Sequence, residues 1–196
     1  TALIGLVTAG LVNFIILPPK YYQQLEDQLS MSEKKMYDLF YNRCQELLLG
    51  KFSSEKSNRQ LSKLNIIAQK IETLTSYQRD ELHYHKNKED DWKLLNKITN
   101  RAYNNRLFIS HLSNIIYLPK NTHIAFAPEE KMAIINISNS ISEIISHGGF
   151  KRHKKSASTL KTSVKRLEEF DQNQMKSHLI YEILLIYKIL DSRYAK

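Results

Sequence analysis

Residues 51–118 contain neither glycine nor proline, and this run constrains the fold more than any other feature of the sequence. The whole chain of 196 residues holds five glycines and four prolines, whereas the two together make up roughly 12% of an average protein. An all-β fold needs frequent tight turns, and tight turns draw on these two residues. Collagen-like and glycine–proline-rich disordered classes fail on the same count. As a single helix the run would exceed ~100 Å, so a helical hairpin is expected. Its turn is placed in the most polar stretch, 86–91, with Asn87 as N-cap and Asp90 in the first turn.

The hydrophobic period agrees with helices throughout. The first arm of the hairpin carries Leu61, Leu64, Ala68, Ile71, Thr75, Gln78 and Leu82 at alternating steps of three and four. The second carries Trp92, Leu95, Thr99, Ala102, Arg106, Ile109, Ser113 and Ile116. Seams of period 3.5 predict left-handed bundle packing. Residues 20–49 form one amphipathic segment ending at Gly50, with a break near Ser30 if Ser30 and Glu33 act as a capping box. After a loop at 119–128, Pro128-Glu129-Glu130 opens a helix that runs through Met132, Ile135, Ile137, Ile141 and Ile145 to Gly148-Gly149. A basic loop (151–155), a short helix (159–169) and a final helix to about Tyr194 follow. Asp171 is the expected cap of that last helix, and Leu179, Ile183, Ile186 and Leu190 its buried stripe. The expected fold is all-α: a bundle of about five to six helices over 20–196.

The remaining nineteen residues are a different material. Residues 1–19 bear no charged side chain, and as a helix 1–17 would span ~26 Å, just short of a bilayer core. Gly5 and Ala9 form a small-xxx-small pair that suits close helix approach in lipid. Pro18 and Pro19 then end the segment, and Lys20, Tyr21 and Tyr22 suit the headgroup layer. Residues 1–19 are therefore read as the C-terminal part of a transmembrane helix, with a buried core helix as the alternative. Lys34, Lys35, Arg43 and Lys51 place the body on the cytoplasmic side by the positive-inside rule.

Lysine and arginine total 29 against 20 acids, a net charge of +9. One cysteine, Cys44, excludes an internal disulfide framework and a four-cysteine zinc site. Dinucleotide, Walker, nucleophile-elbow and zincin motifs are absent, so no enzyme activity and no cofactor are expected. In Asp80-Glu81-Leu82-His83-Tyr84-His85 the two histidines point about 200° apart on a helix, so they cannot share an ion.

Charges on apolar seams are more informative, because charged residues are almost never buried unpaired. Arg43, Arg106, Glu182 and Arg193 occupy or border such stripes, with Tyr103 among the accompanying tyrosines. Two readings stand: an interhelical pocket for a small anion, or ion pairs that fix helix register. Lys151, Arg152, Lys154 and Lys155, together with Lys20, Tyr21 and Tyr22, are the expected membrane-surface contacts.

Pro18-Pro19-Lys20-Tyr21-Tyr22, Asn42-Arg43-Cys44, Ser76-Tyr77-Gln78-Arg79, Asp91-Trp92-Lys93 and the stretches around them at 105–121 and 177–195 carry a likeness to a known group. The chain resembles an uncharacterised family of bacterial multi-pass membrane proteins, of staphylococcal type, grouped with proposed aromatic acid exporters. The match covers the whole chain and corresponds to the last membrane helix and the cytoplasmic C-terminal domain. The resemblance implies a cell-membrane protein with aromatic acid efflux, and it assigns no functional residue. The expected role is a regulatory or assembly domain. Its expected partners are the upstream transmembrane helices of the same protein, the bilayer and further copies of the chain, with no nucleic acid. The alternative is an independent basic module binding a protein, an anionic membrane or nucleic acid.

Overall fold

A computed structural model describes residues 21–50, 54–84, 89–117, 124–169 and 173–195. Among these residues there are six helices and no strand: α1 Tyr22–Leu49, α2 Ser54–Tyr84, α3 Glu89–Ile116, α4 Pro128–His147, α5 Lys154–Glu169 and α6 Gln174–Arg193. The all-α bundle and its helix count are as expected. The membrane segment 1–19, Lys20, Asn87 and Asp171 lie outside the described residues. No helix among the described residues is long and apolar enough to cross a membrane.

The helix ends follow from local chemistry. Gly50 takes φ 66° and its N–H closes onto the Glu46 carbonyl, a left-handed cap that glycine adopts without strain. Pro128 is the first residue of α4, where a missing N–H costs nothing. The Glu130 carboxylate reaches back 2.7 Å to accept the Ala127 N–H. The cap of α6 is Asn173, at φ 50°, whose side-chain oxygen accepts the Lys176 N–H; asparagine is among the few residues that tolerate this conformation. Two expectations change here. α5 starts at Lys154 rather than 159, which shortens the basic loop to three residues. α1 does not break near Ser30, because Ser30 and Glu33 turn sideways onto Arg101 of α3 instead of capping their own helix.

Successive helices run antiparallel, and α1 and α3 lie side by side in the same direction. Contacts from Tyr22 to Asp91, Glu33 to Arg101 and Arg43 to Ile115 record that parallel register. α1 packs on α2, α3 and α4; α3 also packs on α2 and α6; α5 bridges α4 and α6. The main core draws on all six helices, with Phe108 edge-on to both Tyr37 and Phe40. A smaller core of Leu25, Leu29, Ile71, Leu74 and Ile98 holds the end where α1 and α3 begin and α2 finishes.

Two of the predicted stripes differ from expectation. On α4, Met132 and Ile145 are exposed, and Ala133, Ile134, Ile137, Ile141 and Ile144 are buried. Four apolar residues in succession at 132–135 and a pair at 144–145 let several faces fit a 3.6-residue period, and packing against α1 and α5 chooses among them. On α3 the buried residues are Leu95, Ile98, Asn105, Phe108, Ile109, Leu112, Ile115 and Ile116, so the expected seam holds at Leu95, Ile109 and Ile116 while the buried face widens toward α1 and α6. The expected seam through Thr99, Arg106 and Ser113 is the flank beside α2, and Arg106 is exposed there.

Candidate functional site

The five seam residues do not converge on one pocket. Arg43 is 1% exposed. Its Nε and Nη2 donate to the carbonyls of Ile115 and Ile116, at 3.2 and 3.1 Å, and its Nη1 donates to Glu46 at 2.7 Å. The last four carbonyls of a helix lack intrahelical donors, so Arg43 is the cap of α3, delivered from a neighbouring helix with a charge that suits the negative end of the dipole.

Arg193 belongs to a second network. Its Nη2 donates to Glu33 at 2.6 Å and to Asn105 at 2.9 Å, and its Nη1 donates to the Tyr37 hydroxyl at 2.7 Å. Glu33 also accepts two bonds from Arg101, from Nε and Nη2, both 2.7 Å; the Arg101 Nη2 also donates to Ser30, and its Nη1 donates to Glu26. Burial alone would raise the Glu33 pKa, but the two guanidinium groups and the Asn105 amide hold it below 4.5. Burial pushes the Tyr37 hydroxyl up, and bonding to Glu33 pushes Arg101 up. Along α1 and α3 this network separates the small core from the large one. The sequence marks Glu33 only as a candidate helix cap and does not mark Arg101. The spacing Ile98, Arg101, Asn105, Phe108, Leu112 alternates threes and fours as regularly as the seam through Arg106, and that regularity is the signal for Arg101.

Glu182 sits apart, 6% exposed. Its carboxylate meets His111 Nδ1 at 2.7 Å, accepts from Asn114 at 3.0 Å and lies 3.6 Å from His178 Nε2. No cluster of three His, Cys, Asp or Glu residues suited to a metal ion occurs among the described residues. Cys44 is fully buried, and burial raises its thiol pKa far above the ordinary value, which makes it inert.

Only Arg106 and Tyr103 share a cavity. They line an open groove of about 920 Å³ between α2 and α3, with Asn65, Gln69, Glu72 and Ser110 among the other walls. Ala68, Ser110 and Ser113 line it as well, and their small side chains leave the space between the two helices open. Arg106 spans the groove to pair with Glu72, and both are about half exposed. This is the place where a guanidinium and a phenol are both accessible to a small ligand, and an anion bound there must displace the Glu72 carboxylate.

The membrane-surface set divides as well. Tyr21 donates its N–H to Gln78 Oε1 at 2.9 Å and its ring tilts against Tyr77. Tyr22 donates to the Asp91 carbonyl at 3.2 Å, and burial together with the Asp91 charge pushes its pKa up to about 12. Both tyrosines are thus fastened to the ends of α2 and α3. Lys151, Lys154 and Lys155 are exposed. Arg152 turns back to Asp191 at 2.6 Å and to the Tyr194 carbonyl at 3.0 Å.

The chain is 81% identical over 196 residues to a protein of Staphylococcus epidermidis RP62A, 70% over 194 residues to one of Staphylococcus haemolyticus and 58% over 195 residues to one of Staphylococcus aureus USA300. Its close homologues are UPF0421 proteins of staphylococci. Essentially the whole chain is matched in each case, and it spans about 60% of the length of these UPF0421 relatives. No family model and no solved structure matches the chain.

Proposed function

We propose that the helical body is the cytoplasmic C-terminal regulatory or assembly domain of a multi-pass cell-membrane protein that exports aromatic acids. Residues 1–19 form the end of its last membrane helix. The observation that carries this reading is the junction. An uncharged stretch of bilayer-scale length runs directly into Tyr21 and Tyr22, which are hydrogen-bonded to Gln78 and to the Asp91 carbonyl. From there α1 continues unbroken for 28 residues into the main core. A displacement of the upstream segment is therefore passed to the bundle through a rigid rod and two bonded anchors rather than through a slack linker. The greater length of the UPF0421 relatives supports further segments beyond the matched region in those proteins.

Fractionation of cells expressing the parent protein tests the placement. It is expected in the membrane fraction, with a C-terminal tag digested by protease only after the cell is opened. Deleting residues 21–195 is expected to change the efflux rate of labelled aromatic carboxylates or the oligomeric state seen by cross-linking. Recovery of the chain with residues 1–20 in the detergent-free soluble fraction, or a deletion that alters neither readout, rejects the proposal.

A further inference from the structure

The outer face of α5 carries positive charge that the fold leaves unbalanced. Lys154, Lys155, Lys161 and Lys165 are all exposed, as is Lys151 just before the helix, and Ser158 and Thr162 are the exposed residues between them. None of these five lysines has an acidic partner among the described residues, whereas nearby Arg152 is tied to Asp191. The buried side of the same helix is fully used: Leu160, Val164 and Leu167 enter the core, and Ser156 accepts from Asn136. The charge order along α5 also opposes its own dipole. There is no acid in the first turn, two lysines open the helix, and Glu168 and Glu169 close it, with Arg166 the one base in the last turn. Such an order weakens a helix, and a local rule broken without a structural return marks a surface kept for a partner.

Direction decides which partner. α6 lies antiparallel to α3, so its last residues point toward the end where the uncharged stretch joins α1. Arg152 binds Asp191 and the Tyr194 carbonyl, and the His153 N–H donates to the Tyr187 hydroxyl at 2.9 Å, which fixes the start of α5 beside the last turns of α6. Arg193, one turn from this corner, meets Glu33, twelve residues along α1 from Tyr21, or ~18 Å in helix rise.

We propose that Lys151, Lys154, Lys155, Lys161 and Lys165 form a docking surface for an anionic phospholipid bilayer. This rests on the membrane reading above. Lysines suit such a surface as compact cations that need no fixed acceptor geometry.

The test uses the full chain with Ser158→Cys, reconstituted with vesicles of phosphatidylcholine alone or with roughly a third phosphatidylglycerol. Labelling by a water-soluble maleimide reports exposure, since Cys44 is buried and silent. A Ser62→Cys chain, labelled on the exposed side of α2, is the control. Labelling at position 158 is expected to slow about fivefold on the anionic vesicles only, and to recover in high salt and in a Lys154/Lys155/Lys161/Lys165→Gln variant whose circular dichroism is unchanged. Position 62 is expected to label equally on both. Equal rates at position 158 on the two vesicles overturn the docking surface. Protection by short RNA under salt conditions where anionic vesicles give none overturns it in favour of nucleic acid. A chain that fails to remain with the neutral vesicles instead overturns the membrane reading, which keeps the two failures apart.

Discussion

Arg43 separates structural from ligand-binding roles for the buried charges. Replacing it by alanine leaves two carbonyls, those of Ile115 and Ile116, buried without their donor. A buried polar group stripped of its partner costs about 1–3 kcal/mol, so the pair costs about 3 kcal/mol when partial rehydration is allowed for. Loss of the cation at the α3 C-terminus adds roughly 0.5 kcal/mol. The Glu46 carboxylate, 25% exposed, recovers solvation and adds little. The total of about 3–4 kcal/mol corresponds to a fall in Tm of roughly 6–16 °C for a domain of this size. Arg43→Lys keeps the cation but lacks the planar fork, and is expected to cost about half as much. Thermal unfolding followed by circular dichroism, with urea melts to check that the m-value is constant, measures both. A loss below about 1 kcal/mol for Arg43→Ala, the range of an ordinary surface substitution, refutes the capping argument. The same reasoning has a functional face. Nε, Nη1 and Nη2 are already engaged in the fold, so titrated aromatic carboxylates should bind Arg43→Lys and the wild type equally. Loss of binding in the lysine variant would show that the guanidinium serves a ligand.

Glu33→Gln is expected to cost about 2–3 kcal/mol, because Arg101 and Arg193 lose their shared acid. The pH dependence has a definite sign: the Glu33 pKa is lowered on folding, so its contribution is complete above pH 4.5 and is lost as pH falls through the folded value. Wild type should therefore lose stability below pH 4.5 more steeply than Glu33→Gln, and parallel acid melts for the two proteins would contradict this. Arg106→Ala, in an exposed pair with Glu72, should change stability by no more than about 1 kcal/mol. Should the groove bind an anion, calorimetric titration will show the affinity falling about tenfold in that variant with Tm hardly moved. Gly50→Ala meets no atom within 4 Å, yet φ is +66°. It should destabilise by about 1 kcal/mol from backbone strain alone, seen as a Tm lower by a few degrees.

Much of the architecture was legible because it depends on short-range chemistry. Gly50, Pro128 and Gly148 mark helix ends through φ alone, and the structure places the ends there. The stripe of α2 from Leu61 to Leu82 is buried residue for residue, since that helix packs on one side only, against α1 and α3. The α6 stripe of Leu179, Ile183, Ile186 and Leu190 is likewise buried throughout. On α3 the buried face widens to serve three neighbours, and on α4 adjacent apolar residues let periodicity permit several registers. The capping box at Ser30 failed because a local hydrogen bond lost to a distant arginine.

The sequence by itself determined the class, most of the helix ends, the uncharged segment and the presence of charges on apolar stripes. Which acid meets which base was decided only by tertiary structure. Arg43 and Ile116, or Glu33 and Arg193, lie 73 and 160 residues apart. Backbone period specifies the face a side chain occupies, but only the packing of whole helices specifies the group that waits opposite.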